Sequence, residues 1–201
     1  MAVSAVSICN RALQLLGSTS ITSLTDDNDR ARAMNLAYEP VRRRELQIRR
    51  WRFSITRDSL AALADAPDSG YSYQYQLPND FLRLIEGGDL LTLADLSDYR
   101  GAEEALYSIE GQAILTDIGA PLAIRYLRDV TDTASFHPAF VEAFSAALAV
   151  ATCERITGSS AKLQELRDMY RDAVRDASRA NAIERASISV ADDTWMSGRT
   201  Q

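Results

Sequence analysis

Histidine occurs once in these 201 residues, at His137, and lysine once, at Lys162. Histidine is the commonest general acid–base residue, and this one stands directly before Pro138, where a capping or exposed role is expected. The two cysteines, Cys9 and Cys153, fall at apolar positions of predicted helices and form no CxxC pair. With one histidine they make no zinc site, and they read as unpaired buried thiols of a cytosolic product. Long apolar runs are absent too. No stretch approaches the ~20 residues of a membrane span, and Arg11 interrupts the first apolar run of an N-terminus without a basic lead, which argues against a signal peptide. No GxSxG, HExxH, Walker or GxGxxG pattern occurs. Adjacent acids stand at Glu103-Glu104 and Asp192-Asp193, a commonplace surface arrangement. A glycosidase-type carboxylate pair stays open as a rival, because its two acids can be remote in sequence. The expectation is a protein with no catalytic residue, no metal and no cofactor.

What is present is an ordinary globular composition, 46% hydrophobic and 25% charged, which is enough for a sizeable core. The net charge of −6 argues against a surface devoted to nucleic acid or membrane. Its distribution is uneven. Residues 42–57 hold Arg42, Arg43, Arg44, Arg49, Arg50, Arg52 and Arg57 against the single acid Glu45, so the rest of the chain is twice as acidic as the whole. Such a division suits a protein whose faces meet different partners or copies of itself. Internal pairing of these arginines with distant acids is the competing reading.

Periodicity outlines the fold. A first helix is predicted over 3–16, where Val6, Cys9, Leu13 and Leu16 recur at helical spacing and Gly17 is placed to end it. Ile21 and Leu24 in the following connector are expected to anchor on the core. Thr25-Asp26-Asp27 reads as an N-cap. It opens a second helix with Ala31, Met34, Tyr38, Val41 and Ile48 along one face and an end near Arg50. Pro40 lies inside that pattern, so a kink, or two helices meeting, is expected there. The period then falls to two. Residues 71–77 alternate, placing three tyrosines and Leu77 on one face of a strand. Further strands are predicted at 81–85, 90–93 and 122–127, with a hairpin over 107–115 that turns at Glu110-Gly111. Helical spacing returns at Pro138, where Phe140, Phe144, Ala147, Leu148 and Ala151 form a broad stripe ended by Gly158. Ser159-Ser160 caps a fourth helix whose face is Leu163, Leu166, Tyr170, Ala173, Ala177 and Ile183. The short turn between these two helices makes them pack antiparallel. The expected fold is α+β and mainly α. It is an antiparallel four-helix bundle from 1–50 and 136–186, with a small antiparallel β-domain inserted over 51–135 and an extended C-terminal tail over 187–201.

Three surface features remain. Along the fourth helix Arg167, Arg171, Arg175 and Arg179 repeat every four residues beside Asp168, Asp172 and Asp176. Opposite charges then pair at i,i+3, while like charges stack at i,i+4. A solvated face is the plain reading; the sharper one makes these seven a ridge that pairs with a neighbouring subunit. Arg42, Arg43, Arg44, Arg49 and Arg50 form a candidate interface or channel-facing basic cluster. Trp51, followed by Phe53 at the junction of helix and strands, reads as a core anchor. Trp195 with Met196, in an aperiodic polar tail, has no local core to join and is a candidate for docking a partner.

Four ordered runs carry a likeness to a known family. The first is Arg11-Ala12-Leu13-Gln14-Leu15-Leu16-Gly17 through Ile21, Ser23-Leu24 and Asp26. The second is Ala33, Tyr38, Arg42, Glu45-Leu46 and Trp51-Arg52-Phe53. The third is Tyr71, Tyr73 and Tyr75-Gln76-Leu77-Pro78 with Asp80 and Leu82-Arg83. The fourth is the helix pair from Phe140 to Ile183 around Thr157-Gly158-Ser159. In that order, over nearly the whole chain, it resembles the head-to-tail adaptors of short-tailed bacteriophages, the tail tubular protein A family. One departure is Arg49-Arg50 before Trp51, where the family pattern often has histidine and proline. The resemblance implies a structural virion protein synthesised in a host bacterial cytoplasm, a dodecameric ring at the head-tail junction between portal protein and tail nozzle protein that lines the DNA conduit. Contact with passing DNA would be sequence-independent and salt-sensitive, and no membrane is involved. The rivals are a virion-associated peptidoglycan hydrolase using a carboxylate pair and a non-specific DNA-binding module built on 42–57.

Overall fold

The computed structural model describes residues 3–87 and 107–183. Helix α1, Ala5–Leu15, starts at a reciprocal cap: the Ser4 hydroxyl accepts from the Ser7 N–H at 3.1 Å, and the Ser7 hydroxyl accepts from the Ser4 N–H at 2.8 Å. It ends where Gly17 adopts φ +70°. The Gly17 N–H then bonds the Gln14 carbonyl at 3.0 Å and the Ser18 N–H bonds the Leu13 carbonyl at 2.9 Å. This paired closure satisfies two carbonyls at the helix end. Asn10 secures the connector by bonding both backbone groups of Ile21, at 2.9 and 2.8 Å, so Ile21 is held in the core.

Helix α2, Asp29–Ile48, is capped by Asn28, whose side chain accepts from the Ala31 N–H at 2.9 Å. The expected cap at Thr25-Asp26-Asp27 is thus displaced. Asp26 instead accepts from the backbone N–H groups of Thr22 (2.8 Å) and Ser23 (3.2 Å), which hold its carboxyl below the usual carboxylate range. Nor does Pro40 split α2 into two helices. It withholds the hydrogen bond to the Leu36 carbonyl, and Leu36 is 67% exposed, so water can replace that bond. Ile48 is 51% exposed rather than part of the buried face, because Trp51, just beyond the helix, fills the core there.

Helix α3, Pro138–Thr157, is capped by the His137 ring, whose Nδ1 accepts from the Ala139 N–H at 3.1 Å. It closes at Gly158, φ +62°. Helix α4, Ser160–Ile183, follows at once. Its buried side is Leu166, Val174 and Ala177, with Leu163, Tyr170 and Ala173 half-buried beside them. Ile183 is 83% exposed, because the 24-residue α4 overruns the 20-residue α3.

The expected antiparallel four-helix bundle is corrected by α3. Every residue from 143 to 149 is buried, which leaves this helix no wet side in that stretch. Its principal helix contacts are with α1, α2 and α4, and those are the principal helix–helix contacts of the fold. The arrangement is a central helix with three around it, a packing that the stretch 143–149, apolar at every position but Ser145, requires.

Between α2 and α3 lie β1 (Ile55–Leu60), β2 (Tyr73–Gln76), β3 (Phe81–Gly87), β4 (Tyr107–Glu110), β5 (Ala113–Thr116) and β6 (Leu122–Arg128). They form two antiparallel three-stranded sheets, ordered β1-β6-β3 and β2-β5-β4. The hairpin β4–β5 turns through Gly111 at φ +58°, pairing Glu110 with Ala113. Leu60, Leu122, Ile124 and Tyr126 of the first sheet share a core with Tyr75 and Ile114 from the second and with Leu77, just beyond β2. β1 carries no alternation of apolar residues and was not expected; it is an edge strand set by its register with β6, Ile55 opposite Leu127. The predicted strand at 90–93, the Glu103-Glu104 pair and the tail at 187–201 lie outside the described residues. An aromatic cluster joins the β-rich part to the helices. The Phe140 ring lies 5.1 Å from Trp51, 5.0 Å from Phe53 and 5.0 Å from Phe136.

Candidate interaction surfaces

The arginine-rich segment divides in two. Arg42 is 5% exposed and faces inward, with its guanidinium 2.9 Å from the Asp129 carboxylate and 3.9 Å from Glu39. Arg43, half exposed, reaches the other Asp129 oxygen at 3.4 Å. The backbone N–H of Asp129 in turn donates to the Asp80 carbonyl at 2.7 Å. One carboxylate therefore ties α2 to the chain leaving β6. Arg44 bonds Glu45 at 3.0 Å. Glu45 is itself 2% exposed and accepts from the Tyr170 hydroxyl at 2.9 Å, which ties α2 to α4. Burial, and next the Glu45 carboxylate, push the Tyr170 hydroxyl up to about 12. The Glu45 carbonyl also accepts the Trp51 indole N–H at 2.8 Å, so the core-anchor expectation for Trp51 holds, at 2% exposure.

Arg49 and Arg50 differ from these three. Both are exposed, and neither makes an ion pair among the described residues. Their backbone is pinned by α4: Asn181 donates to the Arg50 carbonyl at 3.0 Å and accepts from the Arg52 N–H at 2.9 Å. Of the five candidate cluster residues, then, Arg42, Arg43 and Arg44 are engaged within the fold and Arg49 and Arg50 point to solvent. The polar residues that sequence reading missed are Asp129, Tyr170 and Asn181 as partners and Glu45 as a buried acid. A signal existed for part of this. Counting from Met34, Tyr38 and Val41, helical spacing puts Arg42 and Glu45 on the same inward face.

The α4 ridge is exposed along its length. Asp168 pairs with Arg171 at 2.8 Å, Asp172 with Arg175 at 2.7 Å, and Asp176 with Arg179 at 3.7 Å; Arg167 is exposed beside them. Each pair lies within the helix and in water, where it contributes a few tenths of a kcal/mol, about 0.3–0.5. The ridge leaves both signs of charge available to another surface. Trp195 and Met196 lie outside the described residues.

Open hollows mark the surface among the described residues. One, of about 700 Å³, is lined by Ser7, Asn10, Arg11 and Gln14 with the turn at 17–20. Another, of about 540 Å³, lies by Asp80, Arg128, Asp129 and Asp132. Among the described residues no three His, Cys, Asp or Glu side chains are grouped to hold a metal ion, and no helix is long and apolar enough to cross a membrane. Cys9 and Cys153 are buried and unbridged, and burial pushes the Cys9 thiol up to about 12, away from nucleophilic use. No family model matches the chain, and no curated protein matches it.

Proposed function

We propose that the chain is a structural head-to-tail adaptor of a short-tailed phage virion, assembling as a ring between portal and tail nozzle around the DNA conduit. The reading rests on the four ordered runs of likeness, which coincide with residues that build this fold. The first run is α1 with its Gly17 closure and the Asn10-held connector. The second is the α2 face with Arg42, Glu45 and Trp51. The third is β2 leading into β3, and the fourth is the α3–α4 pair around Gly158. The proposed work is done by shape and complementary charge between chains. On this reading the exposed Arg–Asp ridge of α4 meets a neighbouring subunit through head-to-tail contacts that close by rotation.

Mass measurement and electron micrographs of the protein, alone and mixed with its portal protein, test the proposal. Closed rings on the portal are expected. A chain that stays monomeric and fails to bind the portal refutes it. Clearing of peptidoglycan in a zymogram would favour the hydrolase, and salt-sensitive binding of duplex DNA by the isolated subunit would favour the DNA-binding module.

A further inference from the structure

The outward side of α4 has an order of charge along its length that the pairs within the helix conceal. At about 100° per residue, Asp168, Asp172, Arg175 and Arg179 fall within about 60° of one another, opposite the buried Leu166, Val174 and Ala177. Along this centre line the two acids come first and the two arginines last. All four side chains are more than half exposed. Each of the two carboxylates is met within the helix at one oxygen only, and each guanidinium has several donors, so both keep capacity for a second partner.

That order is self-complementary. The midpoint between Asp168 and Arg179 is also the midpoint between Asp172 and Arg175, and it lies between Ala173 and Val174. A second copy of α4 laid antiparallel about a two-fold at that point brings Asp168 to Arg179 and Asp172 to Arg175, and the symmetry repeats both pairs. At the ends, Gln164 meets Ala182 and Glu165 meets Ile183, so Ile183, 83% exposed in the free chain, is covered. Parallel packing about a two-fold instead sets Asp168 against Asp168 and Arg179 against Arg179, which repels. A partner of uniform charge, such as a nucleic-acid backbone, meets half of the strip with the wrong sign. The occupant that fits is the same helix reversed.

We infer that two copies of this chain pair through their α4 helices, antiparallel about a two-fold between Ala173 and Val174. Exposed ion pairs are individually weak and screened by salt, so the pair forms at low ionic strength and dissociates readily. The order of acids and arginines sets its register and direction more than its strength. The inference stands apart from the adaptor reading, because a ring sets each ridge against a different surface of its neighbour. A two-fold pair covers the ridge, so it has to open before a ring closes.

Sedimentation equilibrium of the full-length protein at about 0.1 mM, in about 0.01 M and about 1 M salt, tests it. A mass approaching two chains is expected at the lower salt and one chain at the higher. Arg175→Asp/Arg179→Asp and Asp168→Arg/Asp172→Arg should each sediment as single chains at low salt, with the circular dichroism of the parent. An equal mixture of these two variants should pair again. Disulfide capture reads the register, since Cys9 and Cys153 are buried and stay silent. Gln164→Cys mixed with Ala182→Cys should link, and neither should link to itself. If a double variant loses its helical signal, the capture decides alone. The inference is overturned if the parent is a single chain at low salt, if pairing survives in either folded double variant, or if their mixture stays apart. It is also overturned if Gln164→Cys links to itself, which parallel packing would produce, or if its mixture with Ala182→Cys does not link. Portal binding is a separate readout, which can fail while the pair forms and hold while the pair fails.

Discussion

Replacing Asp129 by alanine isolates the most consequential polar contact in the fold. The Arg42 guanidinium, 5% exposed, loses the carboxylate 2.9 Å away and keeps only Glu39 at 3.9 Å. Removing one partner of a buried pair costs about 3–5 kcal/mol, since the remaining charge stays desolvated. Here the Asp129 side chain is 16% exposed and Glu39 persists, so the cost falls below that range, about 2–3 kcal/mol. For a chain of this length that lowers Tm by roughly 5–10 °C. Urea unfolding followed by circular dichroism measures the free energy directly. The same reasoning makes Arg42→Met with Asp129→Ala more stable than Asp129→Ala alone, because the double variant buries no unpaired charge. Two results refute the account: Asp129→Ala within about 0.5 kcal/mol of the parent, or a double variant no better than the single one.

Gly17→Ala should cost about 1 kcal/mol with no change of fold, since the site offers open space and the penalty is the left-handed backbone alone; a chemical denaturation curve reads it. Phe144→Ala should cost about 3–5 kcal/mol, because the ring is fully buried and packs on Tyr38, Phe136 and Phe140; an effect below 1 kcal/mol contradicts the central placement of α3. Alkaline pH should weaken the fold through its tyrosines. Burial raises the hydroxyls of Tyr38 and Tyr170 to about 12 and Tyr126 higher still. Their contribution is therefore whole below the unfolded value near 10 and is lost as pH climbs toward the folded values; urea midpoints measured at rising pH should fall through that window.

Local signals in the sequence were read well. Gly17 and Gly158 closed α1 and α3, His137 capped α3, and Gly111 turned the β4–β5 hairpin, each through backbone preferences acting within a few residues. What escaped depends on distant partners. Arg42 and Asp129 are separated by 87 positions, so helical spacing on α2 puts Arg42 on the inward face but gives no sign of the acid that meets it there. β1 exists because β6 pairs with it, and its own residues have no alternation to display. The bundle expectation failed for a related reason. Of the stripe expected on α3, Phe140, Phe144, Ala147 and Leu148 are buried and Ala151 is exposed, while Ala143, Ser145, Ala146 and Ala149 beside them are small enough to be buried as well. Small side chains carry little directional information until the neighbouring helices are placed.

A stretch of helix buried on every side, as 143–149 of α3 is, constrains the chain in a way that an ordinary amphipathic helix does not. Across 143–149 there is no position where a charged residue can be accepted by turning it outward, and none where bulk can be added without displacing α1, α2 or α4. A saturation library over α3 should therefore tolerate only size-matched apolar exchanges there, and enlargements should survive chiefly in clones that have shrunk a side chain on one of the three surrounding helices. Variation in this protein has to accumulate at the periphery, while its axis changes only in concert.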